Sequence, residues 1–303
     1  MVKVVEITEF GDPSVLKITN KDTPKLQANE VLVENKSIGL NFIDTYHRSG
    51  LYPIPLPSGI GLEAAGIVKE IGSDVKLLKV GDHVSHASMP IGAYSEMQVM
   101  PEAKLVKVPK EISFEDAGAI TLKGMTCEYL LHRAYKVTKD DTILYHAAAG
   151  GVGQIFCQWA RAIGCTLIGT VGSDEKIEIA KKNGCDHVIN YSTQDFAKEV
   201  LEITNGKGVD AVYDGVGLST FEKSLEAIKL RGMFLSFGNA SGMVANLDVK
   251  KHLAPKAIFF TRHGRLVTCQ LQQLKAQLYL PKLCLAAWPN LLCRSTLHRM
   301  ELR

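Results

Sequence analysis

The chain has 303 residues, which suits two domains, and 46% of them are hydrophobic, enough to fill real cores. Its 35 basic and 32 acidic residues give a net charge of +3, too small and too dispersed for nucleic acid or an anionic membrane to be the main partner. No apolar run has membrane-spanning length, the N-terminus lacks a signal-peptide layout, and seven cysteines without paired spacing favour reduced thiols. These features predict a cytoplasmic protein.

The first 118 residues carry short strand-like runs separated by Gly, Pro, Asn and Asp turns. Examples are residues 31–34, 65–71 and 82–84. The pattern predicts a mostly β domain over residues 1–118. Ser113 and Asp116 then form a capping-box signature, and a helical pattern follows over residues 117–135.

Strand-like and helical segments alternate in the next part of the chain. The predicted strands are residues 142–147, 166–171, 186–190, 209–214, 232–237 and 257–262. Such alternation is typical of an α/β domain with a doubly wound parallel sheet that binds ligands at the carboxyl ends of its strands. We assign this domain to residues 119–262.

A glycine turn follows the first of these strands. Ala148, Gly150 and Gly153 occupy the three positions of the dinucleotide-binding fingerprint, with alanine in place of the first glycine. A helical pattern then continues to Gly164, a candidate C-cap. Backbone N–H groups at such a turn bind phosphate, so Gly150, Gly151, Val152 and Gly153 are predicted to hold a nucleotide cofactor rather than to form a merely structural turn.

The end of the second strand of this domain predicts NADP rather than NAD. Enzymes that use NAD place an acidic residue here to hold the ribose hydroxyls, whereas this chain has Gly172. Ser173 can donate a hydrogen bond to a 2′-phosphate and Lys176 brings a positive charge, although Lys176 is also an ordinary solvated helix residue. The nearby acids Asp174 and Glu175 are interpreted as first-turn residues of the next helix.

Five stretches together resemble the zinc-free quinone oxidoreductases of the medium-chain dehydrogenase/reductase superfamily, the group that includes zeta-crystallin. They are residues 35–46, 48–53, 61–66, 146–153 and 236–242. The resemblance implies a GroES-like catalytic domain, a Rossmann domain and NADPH-dependent reduction of quinones or of α,β-unsaturated ketones. It also implies a homodimer formed through the strand near residues 257–262.

The resemblance further implies the site residues. Asn41, Tyr46 and Tyr52 are assigned to polar anchoring, proton donation or relay, and stacking on a flat substrate, although a buried tyrosine often has only a structural role. The remaining cofactor-binding positions implied are Phe42, Ile43, Asp44, Thr126, Tyr129, Tyr191, Val216, Phe237, Gly238, Asn239, Ala240, Phe260, Thr261 and Arg262. Asp44 has the alternative role of a turn residue.

The sequence predicts no metal. Zinc-dependent relatives have a cysteine where this chain has Asn41 and a histidine where it has Leu62. Because a catalytic zinc needs about three protein ligands, the loss of these two leaves the ligand set incomplete. Glu63 is a potential ligand without companions, and His83 and His86 are interpreted as surface or structural residues. Met125, Cys127 and Cys157 lie on apolar helical stripes, which favours core packing over redox chemistry.

Residues 263–303 do not continue the family pattern. Eleven of them are leucine and Glu301 is their one acidic residue. We interpret this segment as an atypical tail in place of the family's return to the catalytic domain. An impaired enzyme or a non-enzymatic NADPH-binding protein is therefore a further alternative. RNA binding is disfavoured because the chain has no basic stripe interleaved with aromatic residues.

Overall fold

The computed structural model describes residues 1–262, and these form two compact units. The first unit is Met1–Leu122, and the second begins at Lys123. The predicted atypical tail, residues 263–303, lies outside the described residues. Over the described range, no helix is both long and apolar enough to cross a membrane.

The first unit is built from antiparallel sheets. Its strands are β1 (Val2–Ile7), β2 (Lys17–Lys21), β3 (Glu30–Gly39), β4 (Ser58–Gly59), β5 (Glu63–Ile71), β6 (His83–Ala87), β7 (Met97–Pro101) and β8 (Val106–Lys107). A five-stranded sheet has the order β7-β3-β5-β6-β8, and a three-stranded sheet has the order β2-β1-β4. Val31 and Val33 lie two residues apart on β3, so both face the core that they share with Val68 and Val84.

Two α-helices begin within residues 1–122. The first, α1 (Phe42–Ser49), starts at the N-cap residue Asn41 and ends at Gly50, which takes the left-handed conformation with φ of 79°. The second, α2 (Phe114–Tyr129), starts at the predicted capping box, because the N–H of Asp116 donates to the Ser113 hydroxyl over 3.0 Å. The helix prediction at 117–135 is confirmed in its main part, although the chain widens to a π-helical turn at Leu130–Ala134.

The second unit has a six-stranded parallel sheet. Its strands are β9 (Thr142–Tyr145), β10 (Thr166–Val171), β11 (His187–Asn190), β12 (Val209–Asp214), β13 (Ile228–Ser236) and β14 (Phe259–Arg262). The order β11-β10-β9-β12-β13-β14 is that of the doubly wound dinucleotide-binding fold, whose topological switch point lies between β9 and β12. The prediction of a doubly wound parallel sheet is confirmed.

Helices cover both faces of this sheet. They are α3 (Gly151–Ile163), α4 (Ile177–Lys182), α5 (Phe196–Ile203) and α6 (Phe221–Ala227). Ile143 and Tyr145 of β9 pack in one core with Phe156 of α3, whereas Leu144 packs in a second core with Phe196 of α5. Alternate residues of one strand therefore fill opposite cores, which explains why the strand is apolar throughout.

Five strand boundaries differ from the prediction by one to four residues, and the starts of β13 and β14 have a local cause. β13 begins at Ile228 rather than at residue 232. Its first residues are too polar to be predicted as a strand, but Lys229 forms an ion pair with Asp210 of β12 that stabilises this segment. β14 begins two residues later than predicted because Ala257 takes a left-handed conformation with φ of 50°. Both boundaries depend on backbone and ion-pair details that periodicity does not contain.

Candidate active site

The predicted glycine turn lies between β9 and α3, at the switch point of the sheet. Gly150 is the N-cap of α3 and makes no side-chain capping bond. The N–H groups of Gly151, Val152 and Gly153 are therefore first-turn donors without an intrahelical acceptor. They form an anion-binding surface that the helix dipole reinforces.

Close packing explains the last glycine of this turn. A Cβ atom on Gly153 would lie 2.5 Å from the carbonyl oxygen of Ala148, which no side chain tolerates. The N–H of Ala148 donates to Thr170 O of β10 over 2.9 Å, so the turn is held against the neighbouring strand. Ala147 has φ of 58°, a strained value for a residue with a side chain. The turn fits a pyrophosphate group because the three first-turn N–H donors have no backbone acceptor among residues 1–262, and the three glycines of the turn carry no bulk.

Four residues predicted to bind a 2′-phosphate lie at the end of β10 and in the segment after β11. A Cβ on Gly172 would lie 2.9 Å from Tyr191 Oη, so the missing side chain makes room for the tyrosine ring. Ser192 Oγ donates to Gly172 O over 2.9 Å and fixes the two segments together. Ser173 is half-buried, and Lys176 is exposed and forms no ion pair within residues 1–262.

The acids beside this group are held by local hydrogen bonds. Asp174 and Glu175 lie in the first turn of a 3₁₀ helix, Asp174–Lys176, as predicted. Asp174 Oδ1 accepts from Asn190 Nδ2 over 2.7 Å, which keeps that carboxylate on the β11 side. Glu175 Oε1 accepts from Ser173 Oγ over 3.2 Å, so the serine hydroxyl is directed to this exposed carboxylate.

The loops after β12 and β13 bring together Val216, Phe237, Gly238, Asn239 and Ala240. Ala240 N donates to Gly215 O over 3.3 Å, and a Cβ on Gly238 would collide with that same carbonyl. Asn239 is 8% exposed, and Phe237 packs on the core that contains Tyr145.

Asp214 organises the first of these loops. Its side chain is buried, and Oδ1 accepts from the N–H groups of Val216 and Gly217 over 2.7 and 2.9 Å. Oδ2 accepts from Thr220 Oγ1 over 2.9 Å. The loop therefore keeps one conformation at the carboxyl end of its strand.

The other residues of the second unit that were predicted to bind the cofactor have mixed surroundings. Arg262 Nη1 donates to Gly238 O over 2.9 Å and so joins β14 to the loop after β13. Phe260 stacks on Phe234 with ring centroids 5.2 Å apart, and Thr261 is half-buried. Thr126 is 9% exposed on α2, whereas Tyr129 belongs to the hydrophobic core at the end of that helix.

In the first unit, the side chain of Asn41 is held by a buried carboxylate. Asn41 Nδ2 donates to Glu63 Oε2 over 2.7 Å, and Glu63 Oε1 accepts from Leu122 N over 2.6 Å. Glu63 is fully buried and Asn41 is 8% exposed. A Cβ on Gly39 would collide with the same carboxylate, so only glycine leaves space for it. Glu63 joins β5, α1 and α2 at one point.

A second buried carboxylate lies beside the first. Asp44 Oδ2 accepts from Asn41 N and from Tyr94 Oη, both over 2.9 Å. Burial and the Asp44 charge raise the pKa of Tyr94 well above its usual value, so this phenol stays protonated as a donor. Asp44 thus caps the start of α1 from within the first helical turn, rather than acting as a turn residue, and its role toward a cofactor stays a prediction.

The other predicted residues of α1 form an aromatic group with the segment that follows. The Tyr46 ring lies 5.5 Å from that of Phe42 and 5.1 Å from that of Tyr52, both edge-on. Tyr52 N donates to Tyr46 O over 3.0 Å, which fixes the two tyrosines relative to each other. Phe42 is 59% exposed, Tyr46 is buried, and Ile43 and Tyr52 are half-buried. Phe42 is therefore the most exposed ring of the group.

Metal-ligating side chains do not converge in the part of the chain that the structure describes. No three His, Cys, Asp or Glu side chains among residues 1–262 could share an ion. Glu63, the potential ligand noted above, is bonded to Asn41 and Leu122. His86 is buried, which lowers its pKa to about 4, and the ring of His83 lies 4.5 Å from that of Phe114. Both histidines have the structural surroundings that the sequence predicted.

Sequence reasoning missed three residues that shape these sites: Glu63 as the partner of Asn41, Tyr94 and Asp214. Glu63 and Asp214 did carry a signal, since each is an acid within an otherwise apolar strand segment and must find donors when buried. Tyr94 carried no such signal, because its partner lies 50 residues away.

Comparisons with known proteins agree with this architecture. Residues 27–110 match the model of the alcohol dehydrogenase GroES-like domain, and residues 151–275 match that of the zinc-binding dehydrogenases. A quinone oxidoreductase of Pseudomonas aeruginosa is 48% identical over 263 residues, covering 86% of this chain and 81% of that protein. A 2-haloacrylate reductase of a Burkholderia species is 48% identical over 241 residues, covering 77% and 72%.

A solved structure gives the same result. The crystal structure of Escherichia coli quinone oxidoreductase complexed with NADPH superposes with a TM-score of 0.90 at 46% identity, covering 93% of this chain and 87% of that one. The predicted family and the predicted combination of a GroES-like and a Rossmann domain are confirmed. The chain belongs to the quinone oxidoreductases of the medium-chain dehydrogenase/reductase superfamily.

Proposed function

We propose that the protein catalyses the NADPH-dependent reduction of quinones. The observation that carries the proposal is the turn from Ala148 to Gly153, which leaves three N–H donors open at the switch point of a dinucleotide-binding sheet. The relative from Escherichia coli was crystallised with NADPH, which supports the choice of cofactor.

The choice of NADPH over NADH rests on the end of β10. Gly172 leaves no acid to hold a free ribose, and Ser173, Lys176 and Tyr191 offer two hydroxyls and a positive charge to a 2′-phosphate. Asn190 donates a hydrogen bond to the carboxylate of Asp174, so this acid is already paired with another side chain of the protein.

The proposed chemistry needs little from the first unit beyond orientation and a proton. When bound, NADPH supplies a hydride from C4 of its nicotinamide ring. In this proposal Phe42 packs on the nicotinamide ring, Tyr46 and Tyr52 pack on a flat substrate, and the Tyr52 phenol donates a hydrogen bond to a substrate oxygen. Asn41 fixes the start of α1, which carries two of these rings. Reduction of a quinone gives an aromatic product, so strong acid catalysis is unnecessary.

Glu63 acts in this scheme as a positioning residue. Its carboxylate accepts from Asn41 Nδ2 and from the backbone of α2, so it sets the orientation of the amide without reaching substrate itself. A buried carboxylate with two such donors is rigid, which suits a residue that aligns a neighbour.

A second substrate class is also supported. The Burkholderia relative is a 2-haloacrylate reductase, and reduction of a conjugated C=C bond uses the same hydride donor. We therefore propose α,β-unsaturated carbonyl compounds as the alternative acceptors.

We further propose a cytoplasmic homodimer that forms through β14. This strand is at one end of the six-stranded sheet, and Phe259 on it is 56% exposed. The outer edge of β14 pairs with no other strand among residues 1–262, and such an edge with an exposed aromatic side chain favours pairing with a second copy. Light scattering on the purified chain measures the mass directly, and a monomer at micromolar concentration would contradict this proposal.

The function is tested by following NADPH oxidation with p-benzoquinone and with an α,β-unsaturated ketone. We expect turnover with the quinone, and much slower turnover with NADH than with NADPH. Binding of NADPH without turnover of any acceptor would instead support the impaired or non-enzymatic alternative. A faster rate with the enone than with the quinone would favour the second substrate class.

A further inference from the structure

Two cysteine thiols lie in contact inside the second unit. Cys157 Sγ of α3 and Cys185 Sγ, in the segment before β11, are 3.4 Å apart although the residues are 28 positions apart in the chain. Both cysteines are free, and core packing of Cys157 follows the sequence prediction. The sulfur atoms need to approach by roughly 1.3 Å to reach a disulfide length of about 2.05 Å.

The surroundings hold the two sulfur atoms face to face. A Cβ on Gly169 of β10 would lie 2.6 Å from Cys185 Sγ, so that glycine provides the space for the thiol. Gly184, with φ of 115°, turns the chain into Cys185, and a Cβ on it would lie 3.1 Å from Cys157 O. The segment that carries Cys185 is therefore packed directly on α3.

We propose that Cys157 and Cys185 form a redox-active thiol pair that a hydroperoxide oxidises to an intramolecular disulfide. The pair is a modification site separate from the proposed reductase chemistry. Its position matters because Cys157 Sγ lies 3.8 Å from Ala148 O, within the glycine turn, and Cys157 is on the helix that supplies the turn's N–H donors.

The two thiols have different roles in this reaction. Cys185 is 7% exposed and lies in a connecting segment, so it meets the oxidant first, whereas Cys157 is fully buried. The hydrogen bond with Cys185 and burial both raise the pKa of the Cys157 thiol well above its usual value. Cys157 is therefore the resolving thiol rather than the group that attacks peroxide.

The steps balance with hydrogen peroxide as the oxidant. The Cys185 thiolate attacks one peroxide oxygen, an S–O bond forms as the O–O bond breaks, and the leaving hydroxide takes up the thiol proton as water. The Cys157 sulfur then attacks the Cys185 sulfenic acid; the S–S bond forms, the S–O bond breaks, and the hydroxyl leaves with the second thiol proton as water. Two thiols lose two electrons, and one peroxide becomes two waters.

The experiment is peptide mapping of the reduced, full-length chain after treatment with hydrogen peroxide. Iodoacetamide blocks the remaining thiols, and trypsin then places Cys157 in peptide 140–161, Cys185 in 183–198, Cys165 in 162–176 and Cys127 in 124–133. We expect a linked species of peptides 140–161 and 183–198, with loss of iodoacetamide labelling at Cys157 and Cys185 together, and recovery of both labels after dithiothreitol.

Two variants make the result specific. Cys185→Ser should abolish the linked species and leave Cys157 labelled, whereas Cys165→Ser, at a thiol that bonds only to Ala160 O among the described residues, should leave the 157–185 link unchanged. Circular dichroism confirms that each variant is folded before oxidation. Overoxidation of Cys185 without the link, full labelling of Cys157 after peroxide, or a dominant link to another cysteine would overturn the proposal.

Discussion

The candidate cofactor site of the second unit is built from backbone, whereas the candidate substrate site of the first unit is built from side chains. At the glycine turn the donors are N–H groups of α3, and the critical residue, Gly153, is there because a side chain would not fit. At the start of α1 the critical bond joins Asn41 to Glu63, two side chains 22 residues apart in the chain.

The two regions should therefore respond differently to substitution. A site made of backbone groups tolerates many neighbouring side chains, but it is lost when a new Cβ atom prevents the close packing of the backbone. A site made of buried side chains loses its geometry when one partner is removed, because a buried donor without an acceptor costs about 1–3 kcal/mol. The following substitutions test this contrast, beginning with the largest expected effect.

Gly153→Val should have the largest effect. The new side chain meets Ala148 O at 2.5 Å or less, so we expect the free energy of unfolding to fall by about 3 kcal/mol and NADPH binding to be lost. Urea unfolding and fluorescence titration measure the two effects. Gly124→Ala is the matched control: its Cβ meets open space on α2, so stability should stay equal or rise by about 0.5–1 kcal/mol.

Lower pH should weaken the first unit through His86. Burial lowers the pKa of His86 to about 4 from the usual 6.5, so the unfolded chain binds the proton more readily. The stabilisation is complete above pH 6.5 and is lost as the pH falls toward 4, by roughly 3 kcal/mol in all. Urea unfolding at several pH values in this range measures the effect. The free energy of unfolding should fall less steeply with decreasing pH in His86→Leu than in wild type, whereas His187→Leu, at an exposed site, should behave like wild type. Equal slopes for wild type and His86→Leu would contradict the prediction.

Glu63→Ala should lower the free energy of unfolding by roughly 2 kcal/mol, because Asn41 Nδ2 and Leu122 N lose their acceptor. We expect kcat with a quinone to fall more than the affinity for NADPH, since Glu63 orients a residue of the first unit. Glu63→Gln, which keeps the volume, should recover part of the stability.

The control for Glu63 is Glu34→Ala. Glu34 is a surface residue paired with Lys36 and Lys69 on neighbouring strand positions, and such pairs contribute about 0–1 kcal/mol. If Glu34→Ala lowered the free energy of unfolding as much as Glu63→Ala, the prediction that the buried carboxylate contributes more stability would be contradicted.

Lys176→Ala should have the smallest effect and the most selective one. Loss of one exposed charge near a phosphate should weaken NADPH binding by about 1 kcal/mol, or roughly fivefold, and leave NADH binding unchanged. Lys182→Ala, at an exposed position of α4, is the control. Equal weakening for NADPH and NADH would exclude Lys176 from the 2′-phosphate site.

Much of the second unit followed from the sequence because its signals are local. Strands β10 and β12 begin and end at the predicted residues, and Gly164 caps α3 with φ of 88° as expected. Such features depend on the allowed backbone angles and on periodicity over a few residues, which the sequence states directly.

Contacts between residues far apart in the chain became visible only in the folded protein. The register between β3, β5 and α2 places Glu63 against Asn41 and Leu122, and the packing of α3 on the segment before β11 places Cys157 against Cys185. A sequence contains the residue types of such pairs but not the strand register and helix packing that join them. The fold class, the family and the glycine turn were therefore readable from the residues in order, because their signals are local. The side-chain pairs that orient the site residues depend on long-range packing and required the folded chain.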